Sequence, residues 1–389
     1  MRVIYFHTYG GEISDGGNKK IIAQAENLYK SGIDIRLVLL GGLSTEIPDK
    51  KYICLLPCNT YFLKNTLAIR LYRQYLAKKY LKKVINTADS STILYLRYPL
   101  PILVLPYNLS PQRNCKIVFE CNSIEINEYR ESKTYFSYVW ELVFGTGFRK
   151  KCDAIIGVTD EITHYQLRRS GNLNKPHITI GNGFDVDSVP IRRPPPYDGL
   201  HFDMVCVATV SLWHGIDRLI QGIAQYKGQL NIRLHIVGTG PELRNLENLI
   251  RTLNIKDHII FHGFVKGDDL NRIFDQCHIA VGSLGIHRIG LSQLSILKAR
   301  EYCARGIPYI SACSDPDFPE DFFYILRVPS DESPIDMDQV ILFLTRICQV
   351  SDHAQTMREY AGKNLDWSIK MKKLKGFLET LGKEPVILR

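Results

Sequence analysis

The feature that most constrains this chain is a long alternation of short apolar runs with helix-length amphipathic segments, broken once by VPIRRPPPYDG (189–199) and then resumed. The first series is VIYFH (3–7), IRLVLL (35–40), TILYLRY (92–98), KIVFE (116–120), AIIGV (154–158) and HITI (177–180), its first helix running from a glycine-rich turn through Leu28. The second is DMVCVATV (203–210), RLHIVG (233–238), HIIFHG (258–263), HIAVG (278–282) and IPYIS (307–311). Its helices are expected near 215–226, 242–253, 268–276, 295–305 and 335–350. Near-continuous apolar strands separated by helices read as a parallel sheet covered on both faces, since a half-exposed strand would alternate apolar with polar residues. Four prolines between Val189 and Gly199 remove amide donors and fix φ, so neither pattern continues through them. The expected organisation is therefore two doubly wound α/β domains, 1–188 and 201–365, joined by a proline-rich linker at 189–200, with a helix over 366–389 returning to the first domain. A ligand cleft is expected between them, at the carboxyl ends of both sheets.

Length and composition remove several other classes. At 389 residues each domain can bury its own core, and 45% apolar with 23% charged residues is a globular composition. No run approaches the roughly 20 apolar residues that span a bilayer. The nearest, Tyr98 to Tyr107, carries Pro99, Pro101 and Pro106. MRVIYFHTYGG is too short in apolar residues for a secretion signal and reads as a first strand, so a cytoplasmic location is expected. Ten cysteines without CxxC spacing read as buried reduced thiols, not as zinc ligands or disulfides.

The net charge of +9 is unevenly placed. Residues 1–190 hold 25 Lys and Arg against 17 Asp and Glu, whereas 191–389 hold 24 against 23. Between Lys50 and Ala88 there are nine basic residues and no acid. Within that stretch TLAIRLYRQYLAKKYLKKVI interleaves Leu67, Leu71, Leu76 and Tyr80 with cations at close to helical spacing. Two readings stand: a basic amphipathic helix on an anionic membrane surface, or a solvated helix face. Nucleic acid is not expected as a partner, because no recognition motif accompanies the charge.

The residues that carry chemistry follow the strands. TYGGEISDGGNKK (8–20) has neither the GxGxxG order nor a GK[ST] ending. Gly16 and Gly17, directly before a helix, either let a ligand approach amides at its positive end or make a plain turn. The later half reads MVCVATVSLWHGIDRLIQGIA (204–224), LHIVGTGPEL (234–243), IIFHGFV (259–265) and SILKAREYCARGIPYI (295–310). In that order these segments resemble the donor-binding domain of family-4 retaining glycosyltransferases of the GT-B fold. Such domains show a strand then KG, a strand then VGxGP, FxGxV, and EAxAxGxP on a late helix. The glycine turn near the start and IGNGFD (180–185) fit the same family, so the resemblance spans nearly the whole chain.

The resemblance implies roles for particular residues. Glu301 would accept the two ribose hydroxyls of a nucleotide-sugar. Ser295 would cap its helix, with the amides around Ile296 and Leu297 facing a diphosphate and Lys298 neutralising phosphate charge. Gly238 of VGTGP would lie on the donor side, and Phe264 and Val265 would offer a backbone edge to the base. Two departures stand out. Gln293 occupies the place of the earlier of two glutamates, and ATVSLWHG lacks the usual Arg and Lys, with His214 in the lysine's place. His214, Arg218, His287 or Arg288 would then hold the diphosphate. In FECNSIEINEYRES (119–132), Asn122 stands where some members have histidine. Asn122 and Glu128 either face the acceptor or belong to a capped helix start.

The activity implied is transfer of a hexose from a nucleotide-sugar to a growing glycan, with retention of configuration, no metal cofactor and chiefly electrostatic catalysis. WHGIDRLIQGIAQY (213–226) resembles members from capsule and exopolysaccharide assembly. That implies a lipid-linked acceptor and peripheral attachment to the inner face of the cell membrane through residues 50–88. Two rivals remain: a nucleotide-sugar epimerase of the same fold, and a catalytically degenerate binding partner.

Overall fold

The computed structural model describes residues 1–8, 16–41, 50–58, 66–110 and 112–383. The chain divides into two compact units, Met1–Gly183 with Trp367–Arg389, and Phe184–Asp366.

The first unit is built on seven strands: β1 (Arg2–Thr8), β2 (Asp34–Gly41), β3 (Ile53–Pro57), β4 (Thr92–Tyr98), β5 (Lys116–Cys121), β6 (Ala154–Gly157) and β7 (His177–Thr179). They pair in parallel in the order β3-β2-β1-β4-β5-β6-β7, so Tyr5 lies opposite Leu37 on one side and Tyr95 on the other. The order reverses between β1 and β4, which opens the sheet's carboxyl edge at Thr8 and Tyr98. Helices α1 (Gly16–Lys30), α2 (Thr66–Thr87), α3 (Glu125–Glu131), α4 (Tyr135–Lys151) and α5 (Asp160–Ser170) provide the helical layers. β5 is buried at every position; Ile117, Val118, Phe119 and Cys121 are apolar, while Lys116 and Glu120 are buried with partners, the Leu381 carbonyl and Lys20.

The second unit repeats the plan with β8 (His201–Val207), β9 (Asn231–Val237), β10 (Ile259–Gly263), β11 (Ile279–Val281), β12 (Tyr309–Ser311) and β13 (Ile325–Arg327), ordered β10-β9-β8-β11-β12-β13. Its helices are α6 (Ile216–Gln225), α7 (Leu243–Leu253), α8 (Asp268–Gln276), α9 (Leu297–Arg305), α10 (Met337–Cys348) and α11 (His353–Asn364). Here the order reverses between β8 and β11. The last helix, α12 (Trp367–Lys383), rejoins the first unit, where Lys375 Nζ donates to the Ser31 carbonyl at 2.6 Å and Lys116 Nζ donates to that of Leu381.

Two differences from the sequence expectation have physical causes. The proline-rich stretch expected as a linker at 189–200 packs as a strap on the second unit. Arg192, buried, donates to the carbonyls of Gly306 (3.1 Å) and Cys277 (2.7 Å), and its own amide donates to that of Arg305. The boundary accordingly falls at Gly183 and Phe184. Strands β3 and β13 were not expected from the pattern. Both are short edge strands of the sheets, with few residues in which to show a period. All ten cysteines are free; Cys54 is half-buried, Cys348 exposed and the rest buried.

Candidate active site

The carboxyl ends of β8, β9 and β11 gather most of the second unit's candidate residues. Gly238, one residue beyond β9, has φ +122° and its missing Cβ would stand 2.0 Å from the Ala208 carbonyl oxygen, so no side chain fits there. Its amide donates to the Gly263 carbonyl at 2.6 Å, tying the ends of β9 and β10. Beyond β11, the Leu284 amide donates to the His214 carbonyl at 3.0 Å, and Gly215 approaches Gly285 so closely that a Cβ would meet its nitrogen at 2.5 Å. Lys298, in the first turn of α9, donates from Nζ to the Gly282 carbonyl at 3.1 Å, placing that turn against the end of β11. Burial holds its ammonium below the ordinary lysine value.

The helix start differs from expectation. The residue at the N-cap of α9 is Ile296, not Ser295, and it makes no side-chain capping bond. An isoleucine cannot accept from the first amides, so they lack a side-chain acceptor from the cap. Glu301 lies one turn further, 22% exposed, with Oε1 accepting from Arg305 Nε at 2.8 Å. Arg305 also donates to Asn271 Oδ1 at 2.7 Å, which fixes that oxygen of Glu301 from below. Gln293 pairs through its backbone with Ser314. Phe264, 69% exposed, is a surface side chain, whereas Val265 packs against the core.

The cations expected to replace the missing Arg and Lys are otherwise engaged. Arg218 is buried and donates to the carbonyls of Ser333, Leu284 and Pro329 and to Asp331. Arg288 is clamped by Asp217 (2.8 and 2.6 Å) and Glu332 (2.9 and 2.5 Å), and His287 Nε2 lies 2.6 Å from Glu332. These pairs fasten the β11–α9 loop to α6 and leave neither arginine as a spare phosphate cation. His214 departs from expectation through its protonation. Burial, then the charge of Lys298, pushes its imidazole down to about 2, so it is neutral and, with Nδ1 accepting from the Ser211 amide, has one N–H left to donate. Of the cations the sequence put forward, Lys298 is the one left at these strand ends among the described residues.

In the first unit, Asn122 Oδ1 accepts from Lys20 Nζ at 2.5 Å, and Lys20 also meets Glu120 at 2.6 Å. Asn122 Nδ2 is buried without an acceptor, and the N-cap of α3 is Ile124, so Asn122 is not a cap. Burial alone would raise the Glu120 carboxyl, but Lys20 and Arg97 outweigh it and hold it down to about 2. Glu128, in the first turn of α3, is pushed up by burial. A cavity of about 180 Å³ sits at the reversal between β1 and β4, lined by His7, Thr8, Arg97 and Pro99 among others. Burial and then Arg97 push His7 down to about 4, so the cavity's cation is Arg97. Sequence reading passed over Arg97; its signal is a lone charge at the carboxyl end of the apolar run TILYLRY. Gly16 and Gly17 open α1, while the turn before them, 9–15, lies outside the described residues. Among the described residues no group of three or more His, Cys, Asp or Glu is placed to hold a metal ion.

Two doubly wound parallel-sheet units, each with its strand order reversing beside the first strand, make the fold that of the GT-B glycosyltransferases. Residues 192–312 match the family model described as glycosyl transferases group 1. Among solved structures, sucrose-phosphate synthase from Thermosynechococcus elongatus is 18% identical, each chain covering 98% of the other, with a TM-score of 0.68. The lipopolysaccharide outer core galactosyltransferase WaaB is 14% identical, covering 98% of this chain and 100% of its own, at 0.66. Anabaena HepE, solved in complex with UDP, is 13% identical with the same coverage, at 0.61. No curated protein matches the chain in sequence.

Proposed function

We propose that this chain is a glycosyltransferase that moves a hexose from a nucleotide-sugar to a growing, lipid-linked glycan, with retention of configuration and no metal cofactor, at the inner face of the cell membrane. The observation that carries the reading is the position of Lys298. The Lys298 ammonium and the first turn of α9, whose N-cap isoleucine offers its amides no side-chain acceptor, lie at the same strand ends as the tight Gly238 turn. A leaving diphosphate suits both a helix amino end and a lysine. One turn on, the Glu301 oxygen not held by Arg305 is the acceptor for ribose hydroxyls. Neutral His214 donates one hydrogen bond to sugar or phosphate, and the backbone at Phe264 and Val265 meets the base. Charge growing on the departing phosphate is stabilised by Lys298 and the amides more than charge in the bound donor, which is what lowers a barrier. The group 1 match over 192–312, and a neighbour of this fold solved with UDP-glucose, support the donor class.

The test is a thermal-shift series with UDP, GDP and dTDP, followed by transfer assays with their sugars and an NMR assignment of the product anomer. A ligand at 100 times its Kd stabilises by roughly 2.7 kcal/mol, a readily measured shift. If no nucleoside diphosphate raises the melting temperature, the reading fails. Release of an epimerised sugar without transfer would replace it by an epimerase.

A further inference from the structure

The first unit carries an apolar face that its fold does not use. On α4 the side chains of Tyr135, Phe136, Val139, Leu142 and Val143 are 46–69% exposed. Their spacing, in steps of three and four, puts them along one face, while Glu141, Gly145, Phe148 and Arg149 on the other are buried. On α2, Leu71 and Tyr75 are 44% and 52% exposed, whereas Ala77, Leu81, Val84 and Ile85 face the core. A groove of about 420 Å³ joins the two helices, with Leu71 and Arg70 on one wall and Lys133 and Phe136 on the other.

Single exposed leucines are ordinary, but a contiguous stripe of large apolar side chains marks a surface that meets something. Charge tells what it meets. The second half of α2 exposes Lys79, Lys82 and Lys83, and no acid occurs from Lys50 through Ala88. A symmetric pairing of two copies through this face would set these basic rims against each other. An anionic surface with an apolar interior satisfies both halves at once, each cation near it contributing roughly 1 kcal/mol.

We propose that this face seats on an anionic lipid bilayer, with α4 as the inserted element and the basic half of α2 as its electrostatic flank. The proposal rests on the reading that the acceptor is membrane-borne, and its test is independent of donor binding and transfer.

The full chain is sedimented with vesicles of phosphatidylcholine alone and with vesicles that also contain phosphatidylglycerol. Wild type should partition to the anionic vesicles and be released by salt. The variant Phe136→Ser, Val139→Ser, Val143→Ser should bind at least about tenfold more weakly, because the inserted area is lost. Lys79→Gln, Lys82→Gln, Lys83→Gln should lose about tenfold or more at low salt and little at high salt, where screening has already removed the attraction. A Phe136→Trp reporter should shift its emission to the blue with anionic vesicles. Both serine and glutamine variants change exposed positions, and an unchanged melting temperature confirms that they fold. Equal binding by wild type and the serine variant overturns the proposal, as does wild type that binds neither vesicle. A lipid-free dimer abolished by the serine changes also overturns it, and makes the face a contact between copies. If donor binding fails while vesicle binding holds, it is the catalytic reading that falls.

Discussion

The imidazole Nδ1 of His214 accepts the backbone amide hydrogen of Ser211 at 3.1 Å, which leaves the proton of the neutral ring on Nε2. The group that stands in the place of a lysine is thus a hydrogen-bond donor without charge. The rate should therefore show no titration of His214 between about pH 5 and 8, and His214→Gln should lower kcat without altering the shape of the profile. An acidic limb that vanishes in the variant would return the charged role to this residue.

The same neutrality has a cost in acid. Because the folded imidazole is held to about 2, the unfolded chain binds the proton first. Stability then rises with pH through this interval and falls as pH drops below the ordinary histidine value of about 6.5, by up to about 1.4 kcal/mol per unit for one group. Denaturant melts at several pH values should show a shallower acid slope for His214→Gln than for wild type. Equal slopes would mean that this histidine titrates normally.

Glu301 pairs with Arg305 and is proposed to bind the ribose, and variants can separate the two roles. Glu301→Ala removes the proposed ribose acceptor and the partner of Arg305 Nε, so it should weaken donor binding by about 1.5–3 kcal/mol and also lower the melting temperature. Glu301→Gln keeps an oxygen for Arg305 while removing the charge, so it should restore stability more than affinity. Calorimetric titration with the donor nucleotide beside a thermal melt distinguishes them; unchanged donor affinity in both variants would remove Glu301 from the site.

Arg149 is fully buried and donates to Glu141 at 2.6 Å, Glu125 at 2.9 Å and Tyr98 at 3.0 Å. Arg149→Met should cost about 3–5 kcal/mol, because it leaves Glu125 in the interior without its arginine and Glu141 with Arg169 as its remaining one. Gly145 is part of this arrangement, since a Cβ there would lie 2.1 Å from Glu141 Oε1. Gly145→Ala, usually favourable in a helix, should here be destabilising. Urea unfolding in which either variant matches wild type would show the cluster to be dispensable.

Gly238→Ala should fail for a local reason, its positive φ combined with the 2.0 Å approach to the Ala208 carbonyl. A loss of roughly 1–3 kcal/mol is expected from the strain, along with weaker donor binding. A stable variant with unaltered nucleotide affinity would mean that the β8–β9 edge relaxes freely.

What could be read from sequence divides along physical lines. Helices expected at 268–276 and 295–305 lie at Asp268–Gln276 and Leu297–Arg305, because their apolar period and flanking glycines are local signals. The glycine at 238 was legible only through the resemblance carried by VGTGP; its positive φ and close approach to Ala208 appear in the structure alone. The fates of Arg218 and Arg288 were not. Whether an arginine is spare or spent depends on Asp331, Asp217 and Glu332, which come from distant or opposite ends of the unit. Nor was the exposed stripe of α4 legible, since YFSYVWELVF is apolar on both faces and sequence alone does not say which is covered. The expected membrane helix shows the converse limit: Leu76 and Tyr80 are half-buried, Ala77 and Leu81 are core, and the exposed apolar residues lie at its beginning.

The chain passes from the first unit to the second at Gly183 and back after Asp366, and α12 completes the first unit with residues made after the whole of the second. On a ribosome, the unit begun first is therefore finished second. Phe184–Asp366 emerges whole and can close its own core while α1 and β5 still await the helix that binds them through Ser31 and Lys116. Translation halted before Trp367 would release a sound second unit attached to a first one still lacking α12, so the first unit's completion waits on the whole of the second.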